Sequence, residues 1–264
     1  MSLLLKKNFK LGTTSFIYPD NIIPNVKKLG LKFDEIELLI FESEPFDVIP
    51  SKTEINELAK LSDQLNVSYN VHLPIDISIT DPLQNNRNKA IETIKRVVDL
   101  FSRLNPTSYT LHLDFHKEFR TTKNIDPFKE ICFNSLYKLL ASGIDSQSIS
   151  LETLDYPFEY LDQVIEELDL SVCVDIGHVI RYGYDLEAIF QTHGSRIPVV
   201  HLHGVDTSVK PMKDHLCLDK MDKELFLKII KILNGFTGTV SIEVFNKETL
   251  DGSIKHLKKY FHLS

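Results

Sequence analysis

Histidine, aspartate and glutamate recur in this chain at the ends of short apolar runs. The signals are His72-Leu73-Pro74, His112-Leu113-Asp114, Glu152-Thr153, Asp175-Ile176-Gly177-His178, His201-Leu202-His203 and Glu243-Val244. Taken singly each is unremarkable: a His or Glu at a strand end usually finds one protein partner, and an Asp ahead of a Gly is commonly a turn or helix cap. Gathered at one place they need a cation, because unpaired charges buried together cost several kcal/mol each. Mixed imidazole and carboxylate donors suit zinc, manganese or iron(II).

The segments carrying these residues alternate in a way that would gather them. Strand-like runs near residues 11–16, 35–40, 67–72, 109–113, 148–152, 172–175, 198–203 and 239–244 are each followed by a stretch of helical character, which predicts βα units and a parallel sheet. Helices are expected over 53–65, 88–103, 126–140, 158–168, 186–190, 223–233 and 248–261. The first opens on a Ser51/Glu54 capping-box pattern, and Gly143 and Gly235 are placed to end helices. Alternate side chains of a strand face opposite ways. One parity is apolar: Tyr69 and Val71, Tyr109, Leu111 and Leu113, Ile149 and Leu151, Val172 and Val174, Val240 and Ile242. The other holds Ser68, Asn70 and His72, Thr110 and His112, Ser150 and Glu152, Cys173 and Asp175, His201 and His203, Ser241 and Glu243. A fully covered parallel sheet should be apolar on both faces, so this polar parity calls for a function.

A (β/α)8 TIM barrel fits the alternation, and 264 residues is the usual size of one such domain, so a single domain over 1–264 is expected. Active sites of these barrels gather at the C-terminal ends of the strands, where all the signals above fall. The excess of 37 acidic over 30 basic residues, net −7, disfavours broad nucleic-acid binding. Cys132, Cys173 and Cys217 lack ribbon spacing and favour a reducing compartment. Neither a signal h-region nor a membrane-length apolar run is evident, and a cytoplasmic protein without a membrane partner is the expectation. Glu37, inward at the end of the second strand, is a candidate for substrate binding or proton transfer, and His215 in the loop after the seventh strand is a candidate ligand. Cys173 reads as a small core residue, and His116, His193 and His256 as surface residues.

The spacing from His72 through His112, Glu152, Asp175-His178, His201 and His215 to Glu243 resembles the xylose isomerase-like barrel superfamily, which holds sugar epimerases and zinc-dependent apurinic-site endonucleases. More narrowly, Gly12-Thr13-Thr14-Ser15-Phe16-Ile17-Tyr18-Pro19-Asp20 looks like the cobamide-remodelling phosphodiesterases, which open the nucleotide loop of corrinoids. So do Glu35-Ile36-Glu37-Leu38-Leu39-Ile40-Phe41-Glu42, Val71-His72-Leu73-Pro74, Tyr156-Pro157-Phe158-Glu159 and Glu243-Val244-Phe245. The endonuclease likeness implies one metal on His72, His112 and Glu152, a second on Glu152, Asp175, His201 and Glu243, and a third on His178 and His215. The chain departs from that pattern where Lys213 replaces the Asp two residues before the loop His, the acid being the adjacent Asp214, so the third metal is the weakest part of the implied set. His203 also replaces the polar residue usual after the seventh-strand ligand, and is a candidate to touch substrate.

Phosphodiester hydrolysis suits such residues, since two cations bridged by a carboxylate such as Glu152 would activate water and neutralise the charge that builds on phosphate oxygens. The expected reaction is attack by metal-bound hydroxide, with Glu152, Glu243 and His215 as the catalytic groups, two or three zinc, manganese or iron ions as cofactors, and a corrinoid or sugar phosphate as substrate. The main rival is a one-metal isomerase or epimerase, in which Glu152, Asp175, His201 and Glu243 hold a single ion and a carboxylate moves a proton. A non-catalytic corrinoid or metal carrier is a third possibility. Apurinic-site cleavage of DNA is disfavoured by the acidic charge and the absence of tryptophan.

Overall fold

Eight parallel strands close into a barrel in the computed structural model, which describes residues 4–43, 49–117 and 120–263. In chain order they are β1 Lys10–Thr14, β2 Glu35–Leu39, β3 Ser68–His72, β4 Tyr109–Leu111, β5 Ile149–Glu152, β6 Ser171–Asp175, β7 Val199–Leu202 and β8 Thr239–Ile242, and β8 closes the ring by pairing with both β7 and β1. Helices among the described residues are α1 Ile22–Leu29, α2 Lys52–Leu65, α3 Gln84–Phe101, α4 Ile125–Leu140, α5 Asp162–Leu168, α6 Ile176–Tyr182, α7 Leu186–His193, α8 Lys223–Asn234 and α9 Lys247–Leu257. No helix among the described residues is long and apolar enough to cross a membrane. Met1–Leu3 of the opening segment lie outside the described residues.

The apolar parity forms the layer between sheet and helices: Val71, Leu151, Val172, Val174, Val240 and Ile242 are fully buried against it. Each such side chain contributes roughly 1.5–3 kcal/mol by leaving water. α2 begins where its capping box places it, with Ser51 Oγ accepting from Glu54 N and the Glu54 carboxylate accepting from Ser51 N. At the N-terminal end of the barrel the buried Glu35 carboxylate accepts from Ser68 Oγ at 2.6 Å, Thr107 Oγ1 at 2.8 Å and Asn70 Nδ2 at 2.9 Å, which closes that floor around a hydrogen-bonded carboxylate. The short strands Leu5–Lys6 and Phe261–His262 pair beside it.

Several elements depart from the sequence expectation. α1 and α6 lie outside the helices expected from the sequence. Pro24 sits in the first turn of α1, where its missing N–H costs nothing, and Gly177 sits in the first turn of α6, two residues after the Asp175 cap. β4 stops at Leu111 rather than residue 113, leaving His112 just beyond the ladder. The antiparallel pair Gly204–Asp206 with Lys213–Leu216, also unexpected, folds the loop after β7 back over the barrel mouth. His193, expected at the surface, is 5% exposed: its Nε2 pairs with Asp162 Oδ1 at 2.9 Å, and the ring packs edge-on to Phe158.

Candidate metal centre

Glu152, the last residue of β5, is buried among imidazoles. Its Oε2 lies 2.8 Å from His112 Nε2 and 3.1 Å from His72 Nε2, and its Oε1 lies 3.4 Å from His178 Nδ1 and 3.7 Å from His201 Nδ1. His72 Nδ1 lies 3.0 Å from the Leu73 carbonyl, which can only accept, so that nitrogen carries the proton. Its Nε2 then faces a carboxylate either as a second N–H or as a lone pair, and a lone pair there needs a cation in between.

β6, β7 and the returning hairpin supply the other half. Asp175 caps α6, its Oδ1 accepting from His178 N at 2.7 Å, while its Oδ2 lies 3.1 Å from His178 Nδ1. His203, fully buried, accepts the His215 backbone N–H at Nδ1 (2.9 Å), so its proton sits on Nε2 and is directed to Asp175, 3.1 Å away. The His203 and His215 rings stack with centroids 4.1 Å apart. His215 takes φ +51°, an unusual backbone for a residue with a Cβ, of the kind that concentrates at functional sites. Asp214 pairs with Arg181 of α6 and lies 3.4 Å from His215 Nδ1, while His215 Nε2 lies 3.7 Å from Glu243 Oε2.

His201 and Glu37 occupy the deepest layer. His201 Nε2 lies 3.1 Å from Glu37 Oε1 and Nδ1 lies 3.2 Å from Glu243 Oε2, yet neither ring nitrogen is aligned for a hydrogen bond. Glu37 Oε1 and Glu243 Oε2 are likewise buried without a hydrogen bond, although Glu37 Oε2 accepts from Ser241 Oγ at 2.5 Å. Of these, His201 Nδ1 and Glu243 Oε2, buried 3.2 Å apart without an aligned partner, are what a coordinating ion would satisfy.

Electrostatics point the same way. Burial alone would lower the basicity of His178 and His215, but carboxylates outweigh it and push both up to about 10: Asp175 and Glu152 for His178, Asp214 and Glu243 for His215. For Glu152 and Glu243 burial acts upward and is overcome by the histidines, which hold both carboxyls well below the ordinary range. A proton and a divalent cation compete for the same lone pairs, so a field that attracts the first also attracts the second.

Potential ligand atoms fall within 4.8 Å of one another in four sets: His72, His112 and Glu152; Glu152, Asp175 and His201; Glu37, His72 and His201; and Asp175, His178, His203 and His215. The structure thus brings together the residues that sequence parity selected, with Glu243 alongside. Glu37 lies behind His201, fully buried, and His203 lies behind Asp175, rather than at the open rim. Cys173 is fully buried, and burial pushes its thiol up to about 12, as for a core residue. Sequence reasoning passed over Arg181 and Gly177. Arg181 lies three residues after His178 on α6, a helical spacing that puts the two on one face. A Cβ on Gly177 would lie 1.9 Å from His203 Cε1, so only glycine leaves room for that ring.

Fold and site together define a class: an α/β barrel with a candidate divalent-metal centre at the C-terminal mouth. The chain belongs to the xylose isomerase-like TIM barrel family, whose model matches residues 23–260. It is 27% identical over 122 residues to the probable endonuclease 4 of Haloquadratum walsbyi; that alignment covers 44% of this chain and 43% of the relative, less than half of each. Among solved structures, a D-tagatose 3-epimerase-like protein superposes with TM-score 0.75 at 20% identity, covering 96% of this chain and 97% of the other. The IOLI protein with a bound zinc atom superposes with TM-score 0.74 at 17% identity, covering 96% and 100%. At these identities the likeness to solved structures is one of fold.

Proposed function

We propose that the chain is a divalent-metal-dependent phosphodiesterase holding two or three cations and opening the nucleotide loop of cobamides. One observation carries the reading: the ligand sets are joined by shared carboxylates, Glu152 in two of them and Asp175 in two. A carboxylate with two oxygens facing different histidines suits a bridging role between cations, the arrangement used for in-line phosphoryl chemistry. The cobamide specificity rests on the motif resemblance around Gly12–Asp20 and Glu35–Glu42.

In this reading His72, His112 and Glu152 would hold one ion, and Glu152, Asp175, His201 and Glu243 would hold a second. His178 and His215, with Asp175, complete a third set. Bound cations supply a lowered pKa for attacking water and neutralise charge on the phosphate oxygens. The remaining work belongs to positioning groups. Glu37 steadies His201 from below. His203 holds Asp175 through Nε2 and fixes the His215 backbone through Nδ1. Asp214, anchored by Arg181, stands on the far nitrogen of His215 in place of the missing Asp at position 213, and orients that ring toward Glu243. Without a third cation, His215 held protonated by Asp214 would stabilise the leaving oxygen.

The test is incubation of metal-loaded protein with a cobamide and mass spectrometry of the products. Release of the nucleoside with a phosphorylated cobinamide supports the proposal. Unchanged cobamide together with epimerisation of a ketose would replace it by the one-metal isomerase reading, in which Glu152, Asp175, His201 and Glu243 would hold a single ion. Cleavage of abasic duplex in the same assay would replace it by a DNA-directed reading.

A further inference from the structure

A run of aromatic rings leads away from the candidate metal centre. The His215 ring stacks on Phe245 with centroids 5.1 Å apart, Phe245 meets Phe41 at 6.0 Å, and Phe41 meets Phe16 edge-on at 4.9 Å. Phe16 is 46% exposed and Phe245 37% exposed. Isolated exposed apolar residues are ordinary, but three phenyl rings grouped at the active end of a barrel and continuous with the catalytic cluster are a built surface. Beside them lies a cavity of about 600 Å³, bounded by the ends of β1 and β2 and by the starts of α1 and α2, with Phe16, Leu39, Ile40 and Phe41 in its wall. That volume is ample for the ring portion of a small-molecule ligand.

The segment that carries Phe16 is tied to α1. The buried Asn25 of α1 accepts from the backbone N–H groups of Ile17 and Tyr18 at 3.2 and 2.9 Å, and its amide donates to the carbonyls of Tyr18 and Asp20 at 3.1 and 3.0 Å. The segment after Phe16 is therefore fixed, and the exposed ring is presented at little entropic cost on binding. Charge narrows the ligand class further. Asp20, Glu42 and Glu54 line the cavity, and no lysine or arginine does among the described residues. An anionic group is repelled there, whereas the candidate metal centre next to it attracts one.

We infer that Phe16, Phe41 and Phe245, with the adjoining cavity, form a subsite for a broad flat ring system without negative charge, the part of the substrate that does not carry the scissile phosphate. Resting on the phosphodiesterase reading, this divides the substrate between two neighbouring regions: phosphate at the metal centre, ring on the aromatic wall. Phenyl stacking on a large conjugated ring contributes on the order of 1–3 kcal/mol per ring, so loss of one phenyl weakens binding roughly tenfold.

Equilibrium dialysis with cobinamide, a corrin ring without nucleotide, tests this on the metal-loaded protein. Wild type is expected to bind it, Phe16→Ala and Phe41→Ala to bind at least tenfold more weakly with metal content unchanged, and Phe16→Tyr to recover most of the affinity. Absence of binding by wild type, or equal binding by the alanine variants, overturns the subsite. Cobamide turnover, read separately by mass spectrometry, keeps the two ideas distinguishable. Ring binding without turnover sinks the hydrolase reading and keeps the subsite, whereas turnover with an unchanged KM in both variants sinks the subsite and keeps the hydrolase.

Discussion

Gly177→Ala isolates a single methyl against a single ring. Gly177 lies in the first turn of α6, where alanine for glycine would by helix propensity stabilise by roughly 0.5–1 kcal/mol. The added Cβ would fall 1.9 Å from Cε1 and 2.4 Å from both ring nitrogens of His203, where real Cβ atoms stay beyond 3.0 Å. His203 cannot retreat freely, since it is fully buried and stacked 4.1 Å from His215. Displacing the ring breaks its hydrogen bond to the Asp175 carboxylate, about 1.5–3 kcal/mol, and strands the His215 N–H, about 1–3 kcal/mol. The net is a destabilisation of about 3 kcal/mol, which for a domain of this size lowers Tm by roughly 6–12 °C. Thermal unfolding followed by circular dichroism in the presence of chelator reads the sign directly. The double variant Gly177→Ala/His203→Ala supplies the second arm, because removing the ring removes the clash, so it should be no less stable than His203→Ala alone. A Gly177→Ala protein as stable as wild type would refute the reasoning.

Other outcomes follow from the same geometry. Glu152→Gln should lower phosphodiester hydrolysis by at least about 100-fold and reduce bound metal, with the far-ultraviolet dichroism unchanged, because it removes the bridging charge and leaves the barrel intact; full activity would remove Glu152 from the centre. In chelator-treated protein, His178 and His215 are raised from 6.5 to about 10, so their contribution is complete below pH 6.5 and lost as pH rises through about 10. Tm of that form should therefore fall between pH 7 and 10, while metal affinity rises over the same range as protons cease to compete; a flat profile would contradict the assignment. Asp214→Asn should reduce occupancy or rate through His215 and leave the ion on His72 and His112 in place, as read by metal content against kcat. Glu35→Gln, at the opposite end of the barrel, should lower stability by about 1–3 kcal/mol without changing metal content.

Strand parity made most of the candidate centre's residues legible in the sequence. His72, Glu152 and Asp175 are the last residues of β3, β5 and β6, and a period of two fixes which neighbours share their face. Legibility failed where position depends on long-range packing. Nothing local in Asp175-Ile176-Gly177-His178 reveals that the glycine exists to admit a ring from the next strand, or that Asp175 is held as much by His203 as by its own helix. Parity tells inward from outward but not depth along the barrel axis, so it does not show that Glu37, a candidate for substrate binding or proton transfer, and His203, a candidate to touch substrate, are both fully buried. His215 lies in a loop whose hairpin is set by tertiary contacts, and Arg181, which anchors the neighbouring Asp214, sits in a helix too short to show a period.

The proposed enzyme requires cations, and more than one, among these imidazoles and carboxylates. Plasma mass spectrometry of the purified protein, loaded and then desalted, measures them most directly. Two to three equivalents of zinc, manganese or iron per chain, falling by at least one in a His72→Ala/His112→Ala variant, is the predicted result. One equivalent in wild type, unaffected by that double substitution, would contradict the account and leave the single-ion isomerase in its place.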